Sequence, residues 1–124
     1  MADARRRLVV GNWKMHGHRA ANEPLLAAIS QARPYGCDVA VCTPFPYLAE
    51  VAVAFAGGDL RWGAQDCSAH EQGAYTGEVS AAMLAEFGCR YVIVGHSERR
   101  QLYGESDAVA AAKFKAALAR GITP

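Results

Sequence analysis

The sequence predicts an α/β fold with parallel strands, and three observations support this prediction. Short apolar runs alternate four times with longer segments of helical composition, at intervals of about 30 residues. The apolar runs lack strict polar–apolar alternation, which is typical of strands that are covered on both faces. The segments between them are long enough for the helical crossovers that parallel strands need. The 124 residues, 52% of them hydrophobic, suffice for one core.

The first half of the chain contains two of these strand–helix units. Residues 7–11 form a short apolar run that ends in glycine, and residues 18–32 have helical composition with an apolar stripe at helical spacing. Residues 37–42 are predicted to form the second strand. The second helix is predicted over residues 44–56, where Pro46 suits the first turn because that position needs no N–H donor.

The third unit has clear signals at both ends of its helix. A strand over residues 60–64 precedes a helix over residues 80–87. Ser80 is placed to cap the first turn with its hydroxyl, and Gly88 is placed to end the helix in the left-handed conformation. The fourth strand is predicted over residues 91–94, which form another apolar run.

The last helix is predicted over residues 106–120. Ser106 is its expected N-cap, Asp107 lies near the positive end of the helix dipole, and Gly121 follows the last turn. Ile122 then begins another apolar stretch, which we interpret as the start of a fifth strand. No linker or low-complexity segment divides the chain, so we interpret it as part of a single domain.

Charge and hydropathy argue against two classes of partner. The net charge of +1 gives no electrostatic basis for binding nucleic acid or an anionic membrane. Arg5, Arg6 and Arg7 form a basic run, but the apolar run behind it is too short for a signal peptide. No apolar run approaches the length of about 20 residues that a membrane span needs. We therefore expect a cytoplasmic protein.

The cysteines and two neighbouring histidines do not predict a metal site. No two cysteines are separated by only two to four residues, so the spacings of zinc fingers and zinc ribbons are absent. We expect the cysteines to be small buried hydrophobic residues in a reducing compartment. They are Cys37, Cys42, Cys67 and Cys89. His16 and His18 have no third ligand near them, and we interpret them as loop residues.

Polar side chains follow the end of each predicted strand. In parallel α/β folds the carboxyl ends of the strands form the ligand-binding face, so we expect any chemistry to occur there. The strand-end residues are Asn12, Lys14, Thr43, Gln65, Asp66, His96, Ser97 and Glu98. Residues 65–79 form a long irregular segment at the same end, and segments of this length are usually functional or part of an interface.

Three long motifs resemble the triosephosphate isomerase family. They are VVGNWKMHG (residues 9–17), WGAQDCSAHEQGAYTGEVSA (residues 62–81) and YVIVGHSERRQLYGESD (residues 91–107). The resemblance covers the whole chain, in order and with natural spacing. Three such motifs in register are much more specific than a single GNWK sequence.

The resemblance implies a (β/α)₈ barrel, the TIM-barrel fold. A complete barrel needs eight strands and about 250 residues, so residues 1–124 would form the N-terminal half of one barrel domain. The implied activity is the interconversion of dihydroxyacetone phosphate and glyceraldehyde 3-phosphate through an enediol, a step of glycolysis and gluconeogenesis. The resemblance implies no metal and no organic cofactor.

Lys14, His96 and Glu98 are the catalytic residues that the resemblance implies. Lys14 would supply positive charge for the substrate, and Asn12 would help to anchor it and bind substrate oxygens; an extended segment would point both side chains to one side. His96 precedes a segment that predicts a short helix, whose N–H groups and dipole favour a neutral imidazole. That imidazole would donate to the substrate carbonyl while its other nitrogen accepts from the backbone. Glu98 would hold Lys14 by a charge-assisted bond.

The other polar residues of the third motif have more than one interpretation. Ser97 is either a substrate-binding or a capping hydroxyl, and Glu98 also suits the first turn of a helix. Arg99 and Arg100 are expected to form structural ion pairs. Glu105 matches a family acid that is tied to interface order, and a simple charge between a loop and a helix is the alternative.

The resemblance also implies a homodimer. In the family, the segment that matches residues 65–79 protrudes and inserts into a neighbouring subunit beside the first-strand lysine. Thr76 would then lie beside the lysine of a second copy. The expected interface residues are Gln65, Tyr75, Thr76, Gly77 and Glu78. An open sheet of four parallel strands gives an independent reason to associate, because it has two unpaired edges.

Parts of the family's active site have no match in this chain: the carboxylate base, the mobile lid and the later phosphate-binding loops. We therefore expect these 124 residues alone to show little or no isomerase activity, since a general base contributes about 10²–10⁴-fold. The alternative is a non-enzymatic half-barrel that binds phosphate or self-assembles.

Overall fold

The computed structural model describes residues 5–124 and contains one sheet of four parallel strands with helices between them. The strands are β1 Leu8–Asn12, β2 Asp38–Thr43, β3 Arg61–Ala64 and β4 Tyr91–Val92. The helices are α1 Arg19–Gln31, α2 Leu48–Phe55, α3 Ala81–Glu86, α4 Ser97–Tyr103 and α5 Asp107–Ala119. The predicted α/β fold with parallel strands is therefore confirmed.

The strands pair in sequence order, which is the order of a barrel wall. Gly11 lies opposite Val41, and Val41 lies opposite Trp62 in the next strand. A doubly wound sheet would instead reverse its order at a switch point. Thr123 forms a parallel bridge to Tyr91, so the chain begins a fifth strand where it was predicted. The four strands and this bridge form a half-barrel.

The hydrophobic core lies between the sheet and its helices. One cluster packs α1 and α2 against β2, with Leu26 and Val51 fully buried. A second cluster packs α3 and the end of α5 against β3 and β4, with Leu84 and Ile122 buried at its centre. Burial of each such side chain stabilises the fold by about 1.5–3 kcal/mol. The core therefore fixes the sheet whose carboxyl ends carry the polar residues.

The first strand forms an exposed edge of the sheet. Leu8, Val9 and Val10 keep 43%, 58% and 40% of their surface exposed. β1 pairs only with β2 among residues 5–124, so one row of its backbone N–H and C=O groups has no strand partner there. A mostly apolar cavity of about 660 Å³ lies beside Leu8 and Val10 and extends to Tyr91 in β4. This edge and this cavity are apolar surfaces of the kind that other β-structure covers.

The predicted helix caps agree with the structure. Ser80 Oγ accepts a hydrogen bond from an N–H in the first turn of α3 at 3.1 Å, and Ser106 Oγ does the same in α5 at 3.2 Å. Gly88 and Gly121 follow α3 and α5 with φ values of 73° and 71°, in the left-handed region. All four cap predictions are confirmed.

The second predicted helix begins differently from the prediction. Residues 44–56 were expected to be one helix, but the structure has a 3₁₀ turn over Phe45–Tyr47 before α2 begins at Leu48. The Tyr47 N–H bonds to the Pro44 carbonyl at 3.1 Å, which is the tighter spacing of a 3₁₀ turn. Pro46 lies inside this turn, at a position where no backbone N–H donor is needed.

The fourth strand is shorter than predicted. Its ladder ends at Val92 and not at Val94, because β3 ends at Ala64 and offers no further partner. The last bond between the two strands runs from the Ile93 N–H to the Ala64 carbonyl at 2.9 Å. The backbone then turns at Gly95, whose φ is 61°, and this turn directs the chain into α4.

The cysteines are free thiols, and three of them are buried as predicted. Burial raises the pKa of Cys42 to about 12, of Cys67 to about 11 and of Cys89 to about 12. These thiols therefore stay protonated and unreactive near neutral pH. Cys37 is only partly buried, because it precedes the covered part of β2. Within residues 5–124, no helix combines the length and apolarity that a membrane crossing requires.

Candidate active site

A cavity of about 330 Å³ lies where the carboxyl ends of β1, β3 and β4 meet. Five of the predicted strand-end residues line it: Asn12, Lys14, Gln65, His96 and Glu98. Met15 and the last residues of α4, Leu102 and Tyr103, form an apolar side of the same cavity. Its volume is at the lower end of the range for small-molecule sites. The structure thus brings together side chains that are far apart in sequence.

Lys14 has an unusual backbone conformation. Its φ is 54°, the left-handed region, and it is the only non-glycine residue with positive φ within residues 5–124. The segment is therefore not extended at Lys14, so the condition under which Asn12 and Lys14 would point to one side is not met. The Lys14 N–H donates to Asn12 Oδ1 at 2.9 Å, and this bond closes the tight turn that the conformation creates. Asn12 consequently anchors Lys14 by accepting from its backbone.

The Lys14 ammonium is held by the predicted carboxylate. Lys14 Nζ lies 3.2 Å from Glu98 Oε2, although the two residues are separated by 84 positions in the sequence. Both side chains are about half exposed, at 52% and 46%. An ion pair with this exposure adds only about 0–1 kcal/mol to stability. We infer that the pair orients the ammonium toward the cavity more than it stabilises the fold.

Gln65 fixes the turn around Lys14 from the end of β3. Its Nε2 donates to the Lys14 carbonyl at 2.9 Å and to the Cys42 carbonyl at 3.0 Å, and it also lies 3.3 Å from Asn12 Oδ1. Gln65 is both a predicted strand-end residue and a predicted interface residue, and the interface role stays a prediction. The structure shows a second position for it, inside the site of its own chain.

His96 is the N-cap of α4 and has a defined proton position. Its Nδ1 accepts a hydrogen bond from the Glu98 N–H at 3.0 Å, as the sequence analysis expected. An accepting nitrogen carries no proton, so the ring proton lies on Nε2. Glu98 Oε1 is also 3.4 Å from Nδ1, but this contact is not an ion pair in that tautomer. His96 is therefore arranged to donate from Nε2.

The remaining strand-end residues lie outside the cavity lining. Ser97 is exposed in the first turn of α4 and is not among the lining residues, and its role in substrate binding stays a prediction. Thr43 is buried, and its hydroxyl donates to the Pro44 carbonyl at 3.1 Å. His18 caps α1 by accepting from a backbone N–H at 3.3 Å, which gives it a structural position.

Four charged side chains form an ion-pair network beside the cavity, and one of them, Arg99, also lines it. Lys113 Nζ lies 2.9 Å from Asp66 Oδ1 and 3.1 Å from Glu105 Oε1. Arg99 lies 3.2 Å from Asp66 Oδ2 and also pairs with Glu105. The Lys113 and Glu105 side chains are only 8% and 7% exposed. Two cations thus balance two anions, as a buried network requires.

Arg99 of this network was predicted to form an ion pair, but Lys113 was not identified. Arg99 was expected to form a structural ion pair, and it does. Lys113 lies between Ala110 and Ala117 on the buried stripe of α5. A lysine on such a stripe is rarely buried unless it is paired, so this position was a signal for an acidic partner. In the same network, Glu105 pairs with Arg99 of α4 and with Lys113 of α5, and so it links the two helices.

The network shifts the pKa of two buried groups. Burial alone would raise the pKa of Glu105, but hydrogen bonds from Lys113 and Arg99 outweigh burial and hold this pKa below its ordinary value of 4.5. Burial likewise lowers the pKa of Lys113, and its bonds to Asp66 and Glu105 raise it above its ordinary value. Both groups therefore stay charged near neutral pH.

Acid should destabilise the fold through Glu105. Its pKa is lower in the folded than in the unfolded chain, so its ionisation stabilises the fold above about pH 4.5. This stabilisation is lost as the pH falls through the lowered folded value. We expect the urea midpoint to fall on acidification and Glu105→Gln to flatten this dependence. Glu71→Gln, at an exposed ion pair, is the control and should leave the slope unchanged. Equal slopes for Glu105→Gln and the parent chain would contradict the assignment.

The predicted interface segment projects from the end of β3. Residues 65–79 contain a continuous exposed stretch, residues 70–78. The exposed residues include the predicted interface residues Tyr75, Thr76, Gly77 and Glu78. The Tyr75 ring stacks on His70 with centroids 3.9 Å apart and 4° between the planes. The tip of the segment therefore has a defined shape without a second chain.

The cavity lining contains a cation, a hydrogen-bond donor and a carboxylate that is paired with the cation. Lys14 supplies a cation, and His96 Nε2 supplies a hydrogen-bond donor. Among the residues that the structure describes, Glu98 is the only carboxylate in the lining, and its Oε2 is bound to Lys14. No group of three His, Cys, Asp or Glu residues in this part of the chain has the arrangement of a metal site. A larger groove of about 870 Å³ between α1 and α2 contains none of the strand-end residues.

Comparison with known proteins supports the family resemblance of the three sequence motifs. The family model described as triosephosphate isomerase matches residues 7–124. Triosephosphate isomerase of Thiobacillus denitrificans is 64% identical over 120 residues, which are 97% of this chain and 48% of that protein. The Bordetella pertussis enzyme of the same name is 60% identical over 124 residues, 99% of this chain and 50% of that protein.

A solved structure agrees in fold as well as in sequence. The crystal structure of triosephosphate isomerase from Bartonella henselae matches with a TM-score of 0.86 at 38% identity, over 94% of this chain and 48% of that chain. The chain thus spans about half the length of the curated relatives it matches. Because the family match runs over nearly all of its residues, this chain belongs to the triosephosphate isomerase family.

Proposed function

We propose that this chain provides one part of a triosephosphate isomerase active site, the part that binds the substrate and polarises its carbonyl. The whole enzyme would interconvert dihydroxyacetone phosphate and glyceraldehyde 3-phosphate. The observation that carries the proposal is the convergence of Lys14 and His96 on one cavity of about 330 Å³, each held by Glu98. A substrate with both an anionic group and a carbonyl would use both side chains, the Lys14 ammonium for the negative charge and the His96 N–H for the carbonyl oxygen.

The proposed function gives each side chain a step. Lys14 would neutralise the substrate phosphate and the negative charge that develops on the enediolate. His96 would donate its Nε2 proton to the substrate carbonyl oxygen, which favours removal of a proton from the adjacent carbon. Asn12 and Gln65 would hold the Lys14 turn during this change. The carbon-bound proton must be removed by a base outside these residues, because Glu98 is occupied by Lys14.

We further propose that residues 1–124 are the N-terminal half of a single TIM-barrel domain. The strand order, the exposed β1 edge and the match to about half of each relative support this assignment. The carboxylate base, the lid and further phosphate-binding loops would come from the other half. We also propose a cytoplasmic location, a reducing compartment in which the free cysteines would stay thiols.

An isomerase assay of two proteins tests this proposal. The first is the 124-residue chain, and the second joins it to the C-terminal half of the Thiobacillus denitrificans relative, which is 64% identical over the part it shares with this chain. We expect no turnover above buffer from the chain alone and clear turnover from the joined barrel. The C-terminal half alone is the control. A folded joined barrel without activity would overturn the proposal, as would rapid turnover by the chain alone.

The alternative function is a non-enzymatic half-barrel that binds phosphate or assembles with itself. The exposed apolar edge of β1 favours assembly as such, but it does not explain why Lys14 and His96 share a cavity. The joined barrel separates the two functions, because a module that only binds would bind phosphate there without isomerising the substrate.

We propose that the chain associates at least as a dimer. Two features support this: the apolar edge of β1, and the exposed segment around Tyr75 and Thr76. Residues 65–79 would insert beside the Lys14 turn of a second copy. Edge pairing would bury Leu8 and Val10, and each Å² of apolar surface removed from water contributes about 25 cal/mol.

Sedimentation of the purified chain at micromolar concentration tests this association. We expect a dimer or a larger species, because unpaired strand edges and exposed apolar surfaces favour association. Val9→Lys, on the 58% exposed position of β1, should weaken association through the edge. Thr76→Glu should weaken association through the segment. A stable, cooperatively folded monomer of the parent chain would contradict the edge argument.

A further inference from the structure

Asp66 lies at the junction of the two sets of contacts that hold Lys14. It follows Gln65 directly, and Gln65 donates to the Lys14 carbonyl at 2.9 Å. Its own carboxylate is 13% exposed and uses both oxygens, one for Lys113 at 2.9 Å and one for Arg99 at 3.2 Å. A two-residue segment at the end of β3 therefore contacts the Lys14 turn on one side and the helices on the other.

The second route to Lys14 runs through α4. Arg99 is adjacent to Glu98, and Glu98 holds the Lys14 ammonium at 3.2 Å. Asp66 binds the Arg99 guanidinium and thereby restrains the first turn of α4, in which Glu98 lies. Lys14 is thus held at its backbone by way of Gln65 and at its ammonium by way of Glu98, and both routes meet at Asp66.

We propose that Asp66 is a positioning residue for Lys14, and that its carboxylate, bound to Lys113 and Arg99, keeps the Lys14 turn in its left-handed conformation. The proposal rests on the proposed function, since it gives Lys14 a role in binding the substrate. A lysine with left-handed backbone is strained, so this conformation persists only when its surroundings hold it. A neutral amide in place of Asp66 would leave two cations facing Glu105 alone, so the negative charge itself is required.

Nuclear magnetic resonance of the ¹⁵N-labelled 124-residue chain tests the proposal without relying on turnover. The side-chain NH₂ of Gln65 and the backbone N–H of Lys14 are the two probes of the turn. The indole N–H of Trp62 is a reference, because it bonds to the Phe87 carbonyl at 2.8 Å and lies at the start of β3, away from the cavity. These resonances report on the Lys14 turn whether or not the joined barrel is active, so this test and the isomerase assay can fail independently.

We expect Asp66→Asn to speed hydrogen exchange of the Gln65 NH₂ about tenfold, since a hydrogen bond within this arrangement is weakened. The Lys14 N–H resonance should shift, and the Trp62 indole should not change. Glu71→Gln is the matched control, because it removes a carboxylate of the same segment that pairs with Arg120. It should leave all three probes unchanged.

Two results would overturn the proposal. The first is a folded Asp66→Asn chain in which Gln65 and Lys14 behave as in the parent chain. The second is an equal change at Trp62, which would show a general loss of structure. If the single variant does not fold, the double variant Asp66→Asn with Lys113→Gln decides, because it keeps the network balanced in charge. Release of Gln65 in the double variant supports positioning, and parent-like behaviour contradicts it.

Discussion

Replacing Lys14 with alanine in the joined barrel should lower kcat/KM for triose phosphate by about 10²–10³-fold, the usual effect of removing one electrostatic contact from a developing oxyanion. Lys14 supplies a cation in the cavity lining, and Glu98 would then be left there without its partner. An anionic substrate and an unpaired carboxylate would repel each other. The effect should appear in both KM and kcat, because the charge acts on the bound phosphate and on the enediolate.

Two further variants of the joined barrel give this measurement its control. Arg5→Ala removes an exposed cation far from the cavity and should leave kcat/KM unchanged. His96→Gln should chiefly lower kcat, because the donor at Nε2 acts on the reacting carbonyl and contributes little to phosphate binding. If Lys14→Ala retained the parent kcat/KM, or if His96→Gln raised KM alone, the assigned roles would be mistaken.

Replacing Gly63 with alanine should strongly destabilise the fold of the chain. A Cβ at this position would lie 2.3 Å from the Tyr91 carbonyl oxygen and 2.8 Å from its carbon. Both atoms are backbone of the neighbouring strand, so β4 must move away from β3. Such overpacking is expected to lower the free energy of unfolding by about 3 kcal/mol or more, a large part of the stability of a small domain. Urea unfolding followed by circular dichroism measures this loss.

Gly36→Ala is the matched control for this change. A Cβ at Gly36 would meet no atom within 4 Å, and its backbone is not in the left-handed region. This variant should change the free energy of unfolding by less than about 1 kcal/mol. A Gly63→Ala chain as stable as the control would contradict this prediction. It would show that β3 and β4 can move apart at little cost in free energy.

The strand–helix order and the helix caps were predictable from sequence because their causes are local. Ser80 and Ser106 cap helices with their own hydroxyls, and Gly88 needs only its own backbone freedom. The end of β4 was not predictable in this way. Val94 is as apolar as a strand residue, but its pairing depends on where β3 ends, which is set by residues about 30 positions earlier.

The candidate site was predictable in composition and less so in geometry. The motifs identified Lys14, His96 and Glu98, and the structure places all three on one cavity. The left-handed turn at Lys14 was not predicted, because lysine has no local preference for it. That conformation results from bonds to Asn12 and Gln65, and the second of these partners lies 51 positions away from Lys14.

The left-handed backbone of Lys14 has a consequence for directed evolution of this chain. Glycine adopts a φ of 54° without strain. Lys14→Gly should therefore remove the backbone strain of about 1–2 kcal/mol that the left-handed lysine carries. A library screened only for thermal tolerance would therefore enrich glycine at this position and discard the cation. A library of the joined barrel screened for turnover would instead restore lysine. Position 14 should be kept fixed when this scaffold is stabilised, because heat resistance and chemistry favour different residues there.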